Sequence, residues 1–324
     1  MNTPLKLGLF GLSLAAVFAV AFGAGNLAGP APAADTRPHE PSGHGAHAEP
    51  TASAPGAQVP GGLQVAQDGY RLHPLTATLT TQAAQPLRFK IVGPDGAAVT
   101  DYTPTHDKDL HLIVVRRDLS GFQHVHPALG ADGVWSIPLQ VPAAGQYRLF
   151  ADFQPAGRDK PLTLGADLPA AGNYQPLPLP VPARTAAVDG YTVTLDDDLV
   201  PGTSSKLTLS VAKDGVPVTD LQPYLAAYGH LVALRDGDLA YLHVHPDGSP
   251  GDGRTPAGPQ IVFYAEVPSA GAYRLFLDFQ HNGVVRTAAF TAVAGPASAA
   301  SAPTPAPSAP APTPSATHAH EGGH

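Results

Sequence analysis

Two stretches of this chain share a pattern suited to metal chemistry: His111, His124 and His126, and again His230, His243 and His245, each reading His-x12-His-x-His-Pro. Neutral imidazole is a strong ligand for copper, zinc and nickel. The chain contains no Cys, and its one Met is the initiator. Disulfides, thiolate catalysis, zinc–cysteine knots and methionine-rich copper(I) ligation are thereby excluded. Any metal falls to His, carboxylate or backbone oxygen. Histidine is abundant as well, with 15 His against 18 Lys plus Arg. Beyond the two triads, His39, His44 and His47 lie near the start of the chain and His318, His320 and His324 at its end.

The spacing predicts how each triad converges. In the second pattern Arg235-Asp236-Gly237-Asp238 separates two apolar runs, and Asp-Gly is a pair that two-residue type I′ hairpins favour. Centred there, the turn pairs Arg235 with Asp238, Val232 with Tyr241, and His230 with His243. Residues directly opposite share a face with Cβ atoms about 5 Å apart, and a diagonal neighbour lies about 7–8 Å away. His245 is two residues beyond His243 and joins that face. Three imidazoles on one ribbon are three of the four ligands that a tetrahedral or tetragonal site needs. The first pattern has Arg117-Asp118 in place of Asp-Gly, and a turn at Leu119-Ser120-Gly121 competes. An odd shift there would break the facing relation, while the equal spacing favours the same register.

Other groups qualify less well. Asp152 and Asp278 occupy matching positions and are candidates to orient or complete a metal site, because a carboxylate commonly fixes a metal-bound imidazole. A polar residue at a sheet edge is the preferred reading of both. His106, Asp107 and Asp109 flank the first pattern, but the second has Leu225, Ala226 and Tyr228 there, so they are optional extras. His73 corresponds to Thr194 and His281 to Pro155, and neither belongs to a repeated site. The triads also have a structural alternative, as packing or hydrogen-bonding groups copied by duplication.

The elements that must carry these residues come from an internal repeat. Val99-Thr100-Asp101 recurs as Val218-Thr219-Asp220, and His124-Val125-His126-Pro127 as His243-Val244-His245-Pro246, at one offset of 119 residues. Ala144-Gly145-Gln146-Tyr147-Arg148-Leu149-Phe150 recurs as Ala270-Gly271-Ala272-Tyr273-Arg274-Leu275-Phe276, after a glycine-rich loop that has grown in the second copy. Short β-patterned runs are punctuated by Gly, Pro, Asp and Asn, and no run of helical period stands out. The predicted fold class is all-β, two tandem immunoglobulin-like β-sandwiches, with disordered N- and C-terminal tails. The expected organisation is a signal peptide or N-terminal membrane anchor at 1–28, a disordered His-containing tether at 29–62, sandwich repeats at 63–174 and 184–294, a Pro-rich linker at 175–183, and a disordered Pro/Ala-rich His-containing tail at 295–324. In the tyrosine segment, Tyr147 and Leu149 face one side of a strand while Arg148 and Phe150 face the other.

Composition bounds the function. With 14% charged residues and a net charge of −8, no basic surface exists to hold nucleic acid. Gly 34 and Pro 37 argue against long helices. Residues 1–6 make a short positive start ending in Lys6, and 7–24 are an uncharged apolar stretch rich in Leu, Ala, Val and Phe, which reads as an export signal or an anchor. The rest of the chain is therefore expected outside the cytoplasm, secreted or anchored to the cell membrane.

The runs Gly229-His230-Leu231-Val232-Ala233-Leu234-Arg235 and Leu239-Ala240-Tyr241-Leu242-His243-Val244-His245-Pro246, with Tyr273-Arg274-Leu275-Phe276-Leu277-Asp278-Phe279, resemble exported bacterial heavy-metal-associated proteins similar to YtkA-like and FixH-like immunoglobulin-type domains. The resemblance covers both repeats. It implies copper handling outside the membrane in company with a copper-transporting ATPase or another metal-handling membrane protein. The string His-Val-His is also similar to copper–zinc superoxide dismutases, but this chain lacks their disulfide cysteines and zinc loop. The reading is a non-enzymatic metal-binding protein that buffers, senses or delivers metal. Copper(II) is favoured by the Irving–Williams order, with zinc or nickel as alternatives. A structural or interaction protein with incidental histidines, or a copper-centred oxidoreductase, are the competing functions.

Overall fold

The computed structural model describes residues 59–295. The expected export segment, the His-bearing tether up to residue 58 and the C-terminal tail beyond residue 295 lie outside the described residues. Among the described residues there is no helix. The frequent Gly and Pro explain this, since they break helices and mark turns between short strands.

The first repeat runs through β1 (Ala66–Gln67), β2 (Tyr70–Pro74), β3 (Gln85–Val92), β4 (Leu110–Arg116), β5 (Gln123–Val125), β6 (Ala128–Leu129), β7 (Trp135–Leu139), β8 (Gly145–Phe153) and β9 (Leu162–Ala170). One sheet has the order β1-β2-β3-β7-β6 and the other β5-β4-β8-β9. The second repeat follows with β10 (Thr185–Val188), β11 (Tyr191–Leu195), β12 (Ser204–Lys213), β13 (Val216–Pro217), β14 (His230–Arg235), β15 (Val244–Pro246), β16 (Gln260–Glu266), β17 (Gly271–His281) and β18 (Val284–Ala294). Its sheets are β10-β11-β12-β16-β15, with β13 on β12, and β14-β17-β18. All strand pairs within the sheets are antiparallel. The chain is thus two tandem immunoglobulin-like β-sandwiches.

Each sandwich buries the inner faces of its two sheets. Tyr147, Leu149, Ala151 and Phe153 of β8 enter the first core, and Tyr273, Leu275, Leu277 and Phe279 of β17 enter the second. The buried tyrosines also pin the strand starts. The Tyr147 hydroxyl donates to the Ala143 carbonyl and the Tyr273 hydroxyl to the Ser269 carbonyl, both at 2.8 Å, which is the tyrosine-corner device of such sandwiches.

A third apolar cluster decides where the chemistry sits. Every residue of β4 is buried, although an ordinary sandwich strand shows one face to water. Its outer residues Ile113 and Val115 meet Phe150, Val232, Leu234, Leu239 and Phe276. These come from the outer faces of both repeats, so sheet β5-β4-β8-β9 packs back to back on sheet β14-β17-β18. The contact is reciprocal. Phe122 stacks on Phe276 at 3.9 Å between ring centroids, and Tyr241, the repeat equivalent of Phe122, lies 5.6 Å from Phe150, the equivalent of Phe276. A surface that meets its own equivalent in this way has pseudo-two-fold symmetry, as isologous dimers do. His111, Asp152, His230 and Asp278 are the polar members of the same outer faces.

Candidate metal centre

The hairpin that carries the first triad is shaped by a fork between two side chains. Arg116 donates through Nε and Nη2 to both oxygens of Asp118, at 3.0 and 2.7 Å, and Asp118 also accepts from the backbone and hydroxyl of Ser120. In the second repeat Arg235 grips Asp238, which accepts from the Ala240 N–H. Leu119 and Leu239 adopt left-handed backbone at φ 63° and 62° and sink into the inter-repeat cluster. Asp236-Gly237 therefore does not form the expected two-residue turn. The loop is longer, Leu234 pairs with Tyr241, and the register is displaced by two residues from the predicted one. In the first repeat Ile113 pairs with His124 and Leu112 with Val125, where the equal-register expectation put His111 opposite His124. The displacement is even, so it keeps His124 on the face of His111.

The first triad converges. One ring nitrogen from each of His111, His124 and His126 lies within 4.8 Å of the other two. His111 Nδ1 is 3.0 Å from His124 Nε2 and 3.2 Å from His126 Nε2. The outer nitrogens are occupied: His111 Nε2 donates to the Thr105 carbonyl at 2.9 Å, and His124 Nδ1 donates to Asp278 Oδ2 at 2.7 Å. Those bonds assign the tautomers. With both rings neutral, they leave His111 Nδ1 and His124 Nε2 as acceptors that face each other. Nitrogens bound tetrahedrally at roughly 2.0–2.1 Å lie about 3.3 Å apart, close to the observed spacing. The donor set fits a cation that takes imidazole nitrogen.

The electrostatics point the same way. Burial, with His124 and His106 beside it and the Thr105 bond opposing, brings His111 down to about 4. Burial and the neighbouring His124 and His111 bring His126 down to about 3. Burial and three nearby imidazoles bring His230 down to about 2. Neutral imidazole is the form that ligates metal.

The second triad is not assembled as the first is. His230 stands among the first repeat's imidazoles, with ring centroids 5.5 Å from His111, 5.7 Å from His124 and 4.7 Å from His106. His243 and His245 lie edge to face at 4.0 Å on the other sheet. The cause is the point at which the strand changes sheets. In the first repeat the chain stays on β4 through Val125 and reaches β7 only at Ala128. In the second, His243 already accepts from the Glu266 N–H and His245 pairs with Tyr264. All three still line one cavity of about 230 Å³, together with His106, His111, His124 and Asp152.

Two residues had more to do than their sequence reading suggested. Asp278 is a buried partner of His124 from the other repeat, and the Thr287 hydroxyl holds its second oxygen. Asp152, its equivalent, takes the Thr163 hydroxyl. Burial pushes Asp152 up to about 6, against the Thr163 bond. The signal that finds them is the continuous apolar run of β4 and β14, which marks a sheet covered on both faces.

Residues 64–168 and 186–295 each match the domain family described as Domain of unknown function (DUF8832). The chain belongs to this family. Its two DUF8832 copies coincide with the two sandwiches. The resemblance to YtkA-like and FixH-like proteins rests on the quoted motifs alone. No curated protein sequence matches. Among solved structures, the fold is similar to Escherichia coli alpha-2-macroglobulin activated by porcine elastase, at 15% identity and TM-score 0.23, over 70% of this chain and 20% of that one. It is also similar to invasin, a bacterial integrin-binding protein, at 13% identity and TM-score 0.20, over 69% and 39%. A putative membrane anchored protein from Corynebacterium diphtheriae matches at 12% identity and TM-score 0.22, over 71% and 60%. The chain thus spans from one fifth to three fifths of the length of these proteins.

Proposed function

We infer that this DUF8832 protein is an extracytoplasmic metal-binding protein that buffers, senses or delivers copper(II), using His111, His124 and His126 as its principal ligands. The observation that carries this reading is the convergence of one ring nitrogen from each of His111, His124 and His126 within 4.8 Å of one another, with the outer nitrogens of His111 and His124 held by hydrogen bonds. A hydrogen bond at the outer nitrogen turns the inner nitrogen of each ring toward the place an ion would occupy. Copper(II) is preferred over nickel and zinc on imidazole affinity. His230, His243 and His245 line the adjoining cavity as further ligands. Export rests on the apolar stretch 7–24, and the resemblance to metal-handling exported proteins points to a copper-transporting membrane ATPase as partner.

The test is a competition titration with copper(II), nickel(II) and zinc(II). It uses the full chain with its six tail histidines replaced by Asn, so that loose binding in the tails is removed. The expected result is a tight copper(II) equivalent that the His111→Ala, His124→Ala, His126→Ala triple variant loses while keeping its β-type circular dichroism. A folded parent that takes up no metal, or a triple variant that binds as the parent does, contradicts the reading.

A further inference from the structure

We propose that the centre is shared between the two repeats, with His230 as its fourth ligand and Asp278 as the residue that positions His124. The proposal rests on the metal-binding reading above and adds where the remaining coordination comes from. His230 Nε2 donates to the Leu225 carbonyl at 3.2 Å, just as His111 Nε2 donates to the Thr105 carbonyl. The two carbonyls belong to equivalent loops, in which His106–Asp107 and Leu225–Ala226 take left-handed backbone. His230 therefore carries its lone pair on Nδ1, the tautomer that His111 uses inside the triad. Imidazoles on one tetrahedral ion have ring centroids about 5.2 Å apart, given metal–nitrogen bonds of roughly 2.0–2.1 Å. His111, His124 and His126 lie 4.9–5.3 Å apart by this measure. His230, at 5.5 and 5.7 Å from two of them, stands just outside that spacing.

Asp278 acts through His124. It lies opposite His230 in the β14–β17 ladder, crosses the interface to accept from His124 Nδ1, and is itself held by Thr287. The bond is deeply buried, with side-chain exposures of 3% and 5%, and it turns His124 Nε2 inward. The pseudo-two-fold partner of this arrangement is incomplete. Asp152 has its Thr163, but His243 has left for β16, so one site draws on both repeats. An ion there joins β4 and β5 to β14 and β17, and its affinity depends on the repeats staying packed. His106, 4.7 Å from His230 and 6.0 Å from His111, is the competing fourth ligand from the first repeat.

The experiment uses the full chain with its six tail histidines replaced by Asn and one equivalent of copper(II) sulfate, read by electron paramagnetic resonance and by competition titration. The parent should couple to four nitrogens. His230→Ala should couple to three and bind roughly 10–100-fold more weakly, while His106→Ala should retain four. Asp278→Asn should weaken binding by a similar factor with the nitrogen count kept, a cost expected for loss of an outer hydrogen-bond partner. Nitrogen-15 shifts of the metal-free chain should show His124 protonated at Nδ1 in the parent and not in Asp278→Asn. Thr287→Val, which loosens Asp278 without removing it, gives a milder second variant should Asp278→Asn not fold. The proposal is overturned if His230→Ala keeps four couplings and the parent affinity, if His106→Ala is the variant that loses one, or if the His124 tautomer is unchanged in Asp278→Asn. Should His111→Ala and His124→Ala also bind as the parent does, the metal-binding reading itself fails.

Discussion

At the scale of single residues, the centre is defined by which nitrogen of each imidazole carries a proton. Thr105 and Asp278 set the neutral-ring tautomers of His111 and His124 from outside the cluster. The same burial has a thermodynamic consequence for the metal-free chain. Unfolded, these imidazoles titrate near 6.5, whereas in the fold His111, His126 and His230 are held at about 4, 3 and 2. Below pH 6.5 the unfolded chain therefore binds more protons than the folded one, and stability falls as pH falls toward 4. Asp152 acts oppositely, since its folded value of about 6 exceeds the ordinary 3.8. One carboxyl offsets only part of three imidazoles. Thermal unfolding of the metal-free chain should thus show a lower midpoint at pH 5 than at pH 7. An equal or higher midpoint at pH 5 would mean that the imidazoles are not held neutral. The metal form at pH 7 should melt above the metal-free form, because a ligand bound only by the folded state stabilises it.

At the scale of elements, the two decisive features are the Arg–Asp fork at the hairpin and the apolar back of β4, β8, β14 and β17. Asp238→Ala removes both the Arg235 fork and the acceptor for the Ala240 N–H. It should cost about 1–2 kcal/mol in denaturant unfolding, in the range of a lost charge-assisted hydrogen bond, and an unchanged midpoint would remove the fork as the cause of the register. Phe276, stacked on Phe122 and only 4% exposed, should cost about 3 kcal/mol or more when cut to Ala. That variant should also weaken metal binding, because it loosens the face that presents Asp278; unaltered affinity would separate the apolar cluster from the centre. The sandwiches, the repeat and the placing of His111 with His124 and His126 were legible in the sequence, because alternation and turn residues act locally. The two-residue displacement was not. Asp-Gly promotes a tight turn in isolation, but Asp238 and Leu239 gain an ion pair and burial in the longer one. Nor could local pattern tell that β15 leaves for β16 three residues earlier than its counterpart, which separates His243 and His245 from His230.

At the scale of the molecule, two copies of one domain pack through equivalent faces, yet the polar end of that contact is unequal. The first repeat contributes His111, His124 and His126, and the second contributes Asp278 and the neighbouring His230. In the proposed centre, duplication gives one shared site in place of two independent ones: the second copy is the wall and outer shell of the first copy's triad. The two repeats form one compact unit, as a shared centre requires. The most direct measurement is anomalous diffraction at the copper edge from crystals of the full chain grown with copper(II). The account predicts a principal peak bonded to His111 Nδ1, His124 Nε2 and His126 Nε2, with Asp278 still on His124 Nδ1. Copper found only at His243 and His245, or well-ordered density for the triad with no peak among its nitrogens, would contradict it.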